Sequence, residues 1–225
     1  MLDCLERDTG PDPLYSIIWL HGLGADAGDF WPIVPELGLP ASPAWRFVFP
    51  NAPVRPVTIN GGMPMRAWFD FLSRDSISPM DNDGIAASCR ALEELIGSEE
   101  RRGIARNRIL LAGFSQGGAI ALRTALLGYR PVAGVLALST FLPPLEPLEP
   151  SASANGLPCF AAHGRYDEVL PLRLGLDSRA RLEAAGCRVE WREYEMGHQV
   201  CGPQLADISA FLQRVSGAMA GGAFC

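Results

Sequence analysis

"RILLAGFSQGGAIALRTALL" occupies residues 108–127, and its two halves differ in character. The run around Ile109–Ala112 suits a strand buried on both faces. Residues 116–128 suit a helix closed by Gly128. Between them lie Gly113, Gly117 and Gly118, crowded around Ser115. A glycine within a helix costs roughly 1 kcal/mol relative to alanine, so this cluster needs a reason. A tight strand-to-helix turn supplies one. Gly113 and Gly117 let strand and helix pass with no Cβ in the way, and G-x-S-x-G lifts Ser115 above a sheet as a candidate nucleophile. The helix N-terminus then points free N–H groups at the place where an oxyanion would form. The alternative is a flexible loop, and the strand and helix on either side argue against it.

Other short apolar runs end at glycine or proline. They are "YSIIWLHG" (15–22), "WRFVFPNAP" (45–53), "VAGVLALST" (132–140), "LPCFAAHG" (157–164) and "RVEWREY" (188–194). The last alternates more and belongs nearer a sheet edge. Helical patterns fall between them, at 81–103 with an Asp or Asn cap and Gly103 as stop, at 172–186, and at 203–215 opening on proline. Strands alternating with helices predict an α/β fold with a mostly parallel, doubly wound sheet. Residues 53–80 and the proline-rich 143–158 read as long connections that line a site. One domain is expected over 1–216, followed by a frayed tail, "GAMAGGAFC" (217–225).

Composition narrows the chemistry. The 225 residues are 48% hydrophobic and 20% charged, which suits one compact domain and excludes disorder. The net charge of −6, with no basic run, argues against nucleic acid as a partner. Every basic residue is arginine, so lysine nucleophiles, Schiff bases and P-loop lysines are excluded. Six scattered cysteines without a CxxC pair, and three histidines, give no metal-ligand spacing, and no cofactor is implied. The acidic N-terminal "MLDCLERDTG" reads as no secretory signal, so reduced thiols in a cytoplasm are expected. No apolar stretch is long enough to predict a membrane span.

A serine hydroxyl needs a base. After a nucleophile elbow the partners follow in the order acid, then histidine. His21 precedes Ser115, and His163 follows it with only Glu146 and Glu149 between, in a proline-rich loop. His198, in "YEMGHQVCGP" between the last strand and last helix, is the candidate base. The acid belongs after the strand at 157–162, where "HGRYDEVLP" offers Asp167, with Glu168 in reserve. Asp177 falls within the amphipathic helix and is expected to face solvent or cap a turn. Asp167 would fix the His198 tautomer, unless it is a loop carboxylate paired with Arg165. One oxyanion donor is the N–H of Gln116, directly after the nucleophile. The second is Leu23 in "LHGLGADAGDF" (20–30), where Gly22 and Gly24 let the backbone turn towards a substrate. His21 is expected to hold that loop by hydrogen bonding and to transfer no proton.

"WLHGLGADAGDF", "FPNAP", "MRAWFD", "GFSQGGAIAL", "HGRYDEVLP" and "GHQVC", in this order across residues 18–201, resemble the bacterial carboxylesterase and acyl-protein thioesterase family of α/β hydrolases. The resemblance implies Ser115, Asp167 and His198 as triad, Leu23 and Gln116 as oxyanion hole, no large lid, and esters of short to medium acyl chains as substrates. Acylated protein or lysophospholipid are the alternative substrates it allows, in a monomer or homodimer. Its apolar acyl groove suggests Leu23, Trp68, Phe69, Phe141, Leu142 and Leu170 as lining, against ordinary core packing for each. Asp70 and Arg66 read as a loop salt bridge. A reading of another class is a binding protein on a hydrolase scaffold, which predicts a missing triad member; none is missing.

Overall fold

The computed structural model describes residues 2–73, 79–144 and 149–221, with the backbone alone for 218–221. The six apolar runs are strands: β2 (Tyr15–Leu20), β3 (Trp45–Pro50), β6 (Ile109–Phe114), β7 (Gly134–Leu138), β8 (Pro158–Gly164) and β9 (Arg188–Tyr194). Together with β1 (Cys4–Asp8) they form a sheet in the order β1-β3-β2-β6-β7-β8-β9. All pairings among the six are parallel, and β1 alone runs antiparallel, on the outer edge of β3.

Alternation along each strand divides the side chains between two cores. Ile18, Leu20, Leu111, Val135 and Ala161 face one side. There they pack on α2 (Asn82–Arg101), α3 (Gln116–Leu127) and α4 (Leu172–Ala184), through Ile85, Leu92, Ile120 and Leu182. Ile17, Trp19, Phe47, Leu110 and Phe160 face the other side, against the short α1 (Ile33–Glu36) and α5 (Gly202–Gly221). Each fully buried large apolar side chain contributes about 1.5–3 kcal/mol relative to exposure, so two covered faces explain the unbroken apolar strands.

Helix boundaries follow the local signals. Asp81 caps α2, accepting the Gly84 N–H at 2.8 Å, and Gly103 takes a left-handed φ of 101° just beyond its end. Helix α5 reaches Gly221, so residues 217–221, expected to fray, are helical, and residues 222–225 lie outside the described residues.

The described part of the 53–80 connection, residues 53–73 and 79–80, is more ordered than expected. It contains a hairpin of β4 (Val54–Val57) and β5 (Met63–Arg66), separate from the main sheet. Because β2, β6, β8 and β9 are parallel, the segments leaving them all emerge at one rim. Those segments carry Leu23, Ser115, Asp167 and His198. Ligands of open parallel sheets bind beyond such carboxyl ends.

Candidate active site

Ser115 sits between β6 and α3 with φ 53° and ψ −121°, a conformation L-residues rarely adopt. Such strain costs on the order of 1–3 kcal/mol and persists only where neighbours enforce it. Here the Ser115 N–H donates to the Leu138 carbonyl at 2.9 Å, and the Ser115 carbonyl accepts the Thr140 hydroxyl at 2.6 Å. Close backbone contact completes the clamp. A Cβ on Gly117 would lie 2.5 Å from the Leu20 carbonyl oxygen.

Asp167 and His198 meet as the sequence predicts. The His198 Nδ1–H donates to Asp167 Oδ2 at 2.7 Å, which selects the tautomer of the neutral ring in which Nε2 is the acceptor. Asp167 Oδ1 accepts the N–H groups of Val169, at 3.0 Å, and Leu170, at 2.8 Å. Burial alone would raise the Asp167 carboxyl. Hydrogen bonds from His163, His198 and Leu170 outweigh it and hold the group well below the usual carboxylate range. Asp167 is thus a carboxylate at any working pH. Arg165, its suggested alternative partner, pairs instead with Glu193 at 3.1 Å and with Glu195. The Phe114 ring packs on the His198 imidazole with centroids 4.7 Å apart. Glu168 and Asp177 are exposed.

The loop after β2 passes directly beside the serine: a Cβ on Gly22 would lie 3.6 Å from Ser115 Cβ. Among the described residues, neither the Leu23 nor the Gln116 N–H has a hydrogen-bond acceptor. The loop is held from both ends. His21 Nε2 accepts the Ala52 N–H at 3.0 Å, so its proton lies on Nδ1, which donates to the Gly22 carbonyl at 2.7 Å. Burial lowers the His21 pKa and keeps the ring neutral, consistent with the holding role expected of it. Gly24 N–H donates to the Arg66 carbonyl at 2.8 Å, tying the loop to β5.

The Gln116 side chain has a role of its own that its motif position does not signal. Its Oε1 accepts the Trp68 N–H and its Nε2 donates to the Phe69 carbonyl, each at 2.7 Å. The Trp68 indole N–H in turn donates to the His21 carbonyl at 2.9 Å. The segment from Trp68 is therefore fastened to both the elbow and the early loop.

A cavity of about 1090 Å³ opens over Ser115 and His198. Leu23 and Leu170 line it, as expected. Trp68, Phe69, Phe141 and Leu142 do not: each is at most 1% exposed and belongs to the core. Phe30, Ile59, Phe71, Phe114, Val169 and Leu174 supply the apolar wall instead. Trp68 is drawn inward by its bond to His21, and Leu142 by the Ser178 hydroxyl, which accepts its N–H at 2.7 Å. The expected Arg66–Asp70 bridge is not formed. Asp70 accepts from the Thr58 N–H at 2.7 Å and from its hydroxyl, while Arg66 donates to the Ala52 carbonyl at 3.0 Å.

Comparison with known proteins agrees with this architecture. Residues 12–216 match the family model described as Phospholipase/Carboxylesterase. The chain is 36% identical to acyl-protein thioesterase 1 of Mycosarcoma maydis, covering 92% of this chain and 93% of that one. It is 35% identical to acyl-protein thioesterase 1 of Saccharomyces cerevisiae, over 88% and 92% of the two chains. The crystal structure of Arabidopsis thaliana SOBER1 superposes with a TM-score of 0.83 at 28% identity, covering 90% of this chain and 99% of that one. No helix among the described residues is long and apolar enough to cross a membrane. With its mostly parallel sheet, its serine elbow and a family match over almost its whole length, the chain belongs to the phospholipase/carboxylesterase family of α/β hydrolases and is a serine hydrolase.

Proposed function

We propose that Ser115, Asp167 and His198 form a catalytic triad that cleaves acyl thioesters on acylated proteins or peptides, with carboxylic esters as a second substrate class. The observation that carries the triad is the 2.7 Å bond from His198 Nδ1 to Asp167, beside a cavity that Ser115 also lines. The thioester preference is supported by near full-length relatives named acyl-protein thioesterase 1. The apolar wall, Phe71 and Leu174 among it, suits an acyl chain.

In this mechanism His198 Nε2 removes the Ser115 proton as Oγ attacks the acyl carbonyl. Negative charge develops on the carbonyl oxygen and rests on the N–H groups of Leu23 and Gln116. A donor of this kind is worth about 2.7–4 kcal/mol in the transition state. Asp167 holds the imidazole in its Nδ1–H tautomer and stabilises the imidazolium that forms. The thiol or alcohol departs with the proton from His198, and water repeats the sequence on the acyl-enzyme.

Matched oxygen and sulfur esters, followed by an S-acylated peptide, test the reading. We expect turnover of both esters, faster cleavage of the thioester, and release of the acyl group from the peptide. Turnover of simple esters with no action on the peptide would return the assignment to a small-molecule carboxylesterase. Failure of a fluorophosphonate to label Ser115 would favour a binding protein on a hydrolase scaffold.

A further inference from the structure

The mechanism leaves one buried histidine unused. His163, near the end of β8, is 1% exposed and stands behind the catalytic acid. Its Nε2 lies 2.8 Å from the Leu170 carbonyl oxygen. A carbonyl only accepts, so the proton is on Nε2. That same N–H lies 3.4 Å from Asp167 Oδ2, the oxygen that receives His198. Leu170 meanwhile donates its own N–H to Asp167 Oδ1 at 2.8 Å. His163, Leu170 and Asp167 therefore close a ring of polar contacts, all within the interior.

The imidazole is fixed on its other sides. The Trp191 ring of β9 lies nearly parallel to it, at 25° with centroids 6.4 Å apart. Helix α4 presses against it at Gly175, where an added Cβ would fall 2.5 Å from His163 Nδ1. A ring held this firmly sets the position of the Leu170 peptide, and both peptide groups of that turn bear on the acid. An apolar side chain of similar size would fill the space but leave the buried Leu170 carbonyl without its donor and loosen the turn.

We propose that His163 is a positioning residue, which holds the 167–170 turn so that Asp167 presents Oδ2 to the His198 Nδ1–H. It touches no substrate, and it acts on turnover through Asp167. The proposal rests on the triad reading above.

A double-mutant cycle on the full-length protein tests it, with an S-acylated peptide and a p-nitrophenyl ester as substrates and a thermal melt for each variant. His163→Leu is expected to lower kcat by on the order of tenfold, the lower end of what outer-shell partners give at other sites. KM should change by less than about twofold, since His163 lies outside the cavity. His163→Gln, whose amide can reach the Leu170 carbonyl, should restore most of kcat. In an Asp167→Ala background His163→Leu should have no further effect on kcat, because the group through which it acts is gone. If His163→Leu does not fold, His163→Asn takes its place; its amide is too short to make the bond. Equal losses with and without Asp167, or an unchanged kcat in the single variant, would overturn the proposal. An active Ser115→Ala would overturn the triad reading and this inference with it, whereas an inactive Ser115→Ala beside an additive cycle would overturn this inference alone.

Discussion

A Cβ at Gly113 would lie 2.3 Å from the carbonyl carbon of Gly117, so the end of β6 and the first turn of α3 touch through bare backbone. No side-chain movement can relieve that contact. Gly113→Ala is therefore expected to destabilise the protein by at least about 2–3 kcal/mol and to distort the turn that carries Ser115. The exposed Gly217, with nothing within 4 Å of an added Cβ, is the control. Thermal melts of Gly113→Ala and Gly217→Ala should separate clearly, and similar Tm values would refute the close-approach argument.

Ser115→Ala and His198→Ala should each lower kcat on a p-nitrophenyl ester by on the order of 10⁴ or more, with the circular dichroism spectrum retained. Retention of a tenth of the activity by either variant would show that residue's assignment to be wrong. The two losses should not multiply in the double variant, since the proposed nucleophile and base would act as one unit.

Asp167, the proposed triad carboxylate, should also govern acid stability. Its carboxyl has an ordinary pKa of 3.8 and a depressed one in the folded protein, so its stabilising contribution is present above 3.8 and fades as pH falls through the folded value. The Tm gap between wild type and Asp167→Asn should not narrow between neutral pH and about 4, and should close below that. A gap that closes between pH 7 and 5 would mean that another group dominates.

Trp68 and Phe71 offer a contrast three positions apart. Trp68 is 1% exposed and donates its indole N–H, so Trp68→Ala should cost about 3–5 kcal/mol in a denaturant titration. Phe71 lines the cavity. Phe71→Ala should alter relative kcat/KM across a series of acyl chain lengths while costing less stability than Trp68→Ala. The opposite pattern would exchange their roles.

Much of this arrangement is legible in the residues. Five of the six parallel strands stand out because both their faces are covered, which forces apolar side chains at consecutive positions, whereas β9, at the sheet edge, alternates and is only partly buried. Strand β1, "CLERD", escapes notice because it is a sheet edge with mostly exposed, charged side chains. The β4–β5 hairpin escapes for a different reason: both strands contain proline, and their exposed Val54 and Met63 bury no face that would impose a period. The candidate triad could be anticipated because parallel strands deliver their following segments to one rim, so chain order narrows the choice. The cavity wall could not. In "WFDFL" (68–72) nothing local distinguishes Trp68, pulled inward by the His21 carbonyl, from Phe71, which opens on the cavity.

The Gln116 amide, gripping Trp68 and Phe69, carries a consequence for how such a molecule can diversify. The ribbon that leads to Phe71 shares its anchors with the turn that presents Ser115 and with the carbonyl of His21. Under the proposed function, a change of acyl preference achieved by moving that ribbon's main chain would disturb turnover at the same stroke. Exchanges of Phe71 or Ile59 that leave the three anchoring bonds intact are the route by which selectivity can drift, or be engineered, while speed is kept.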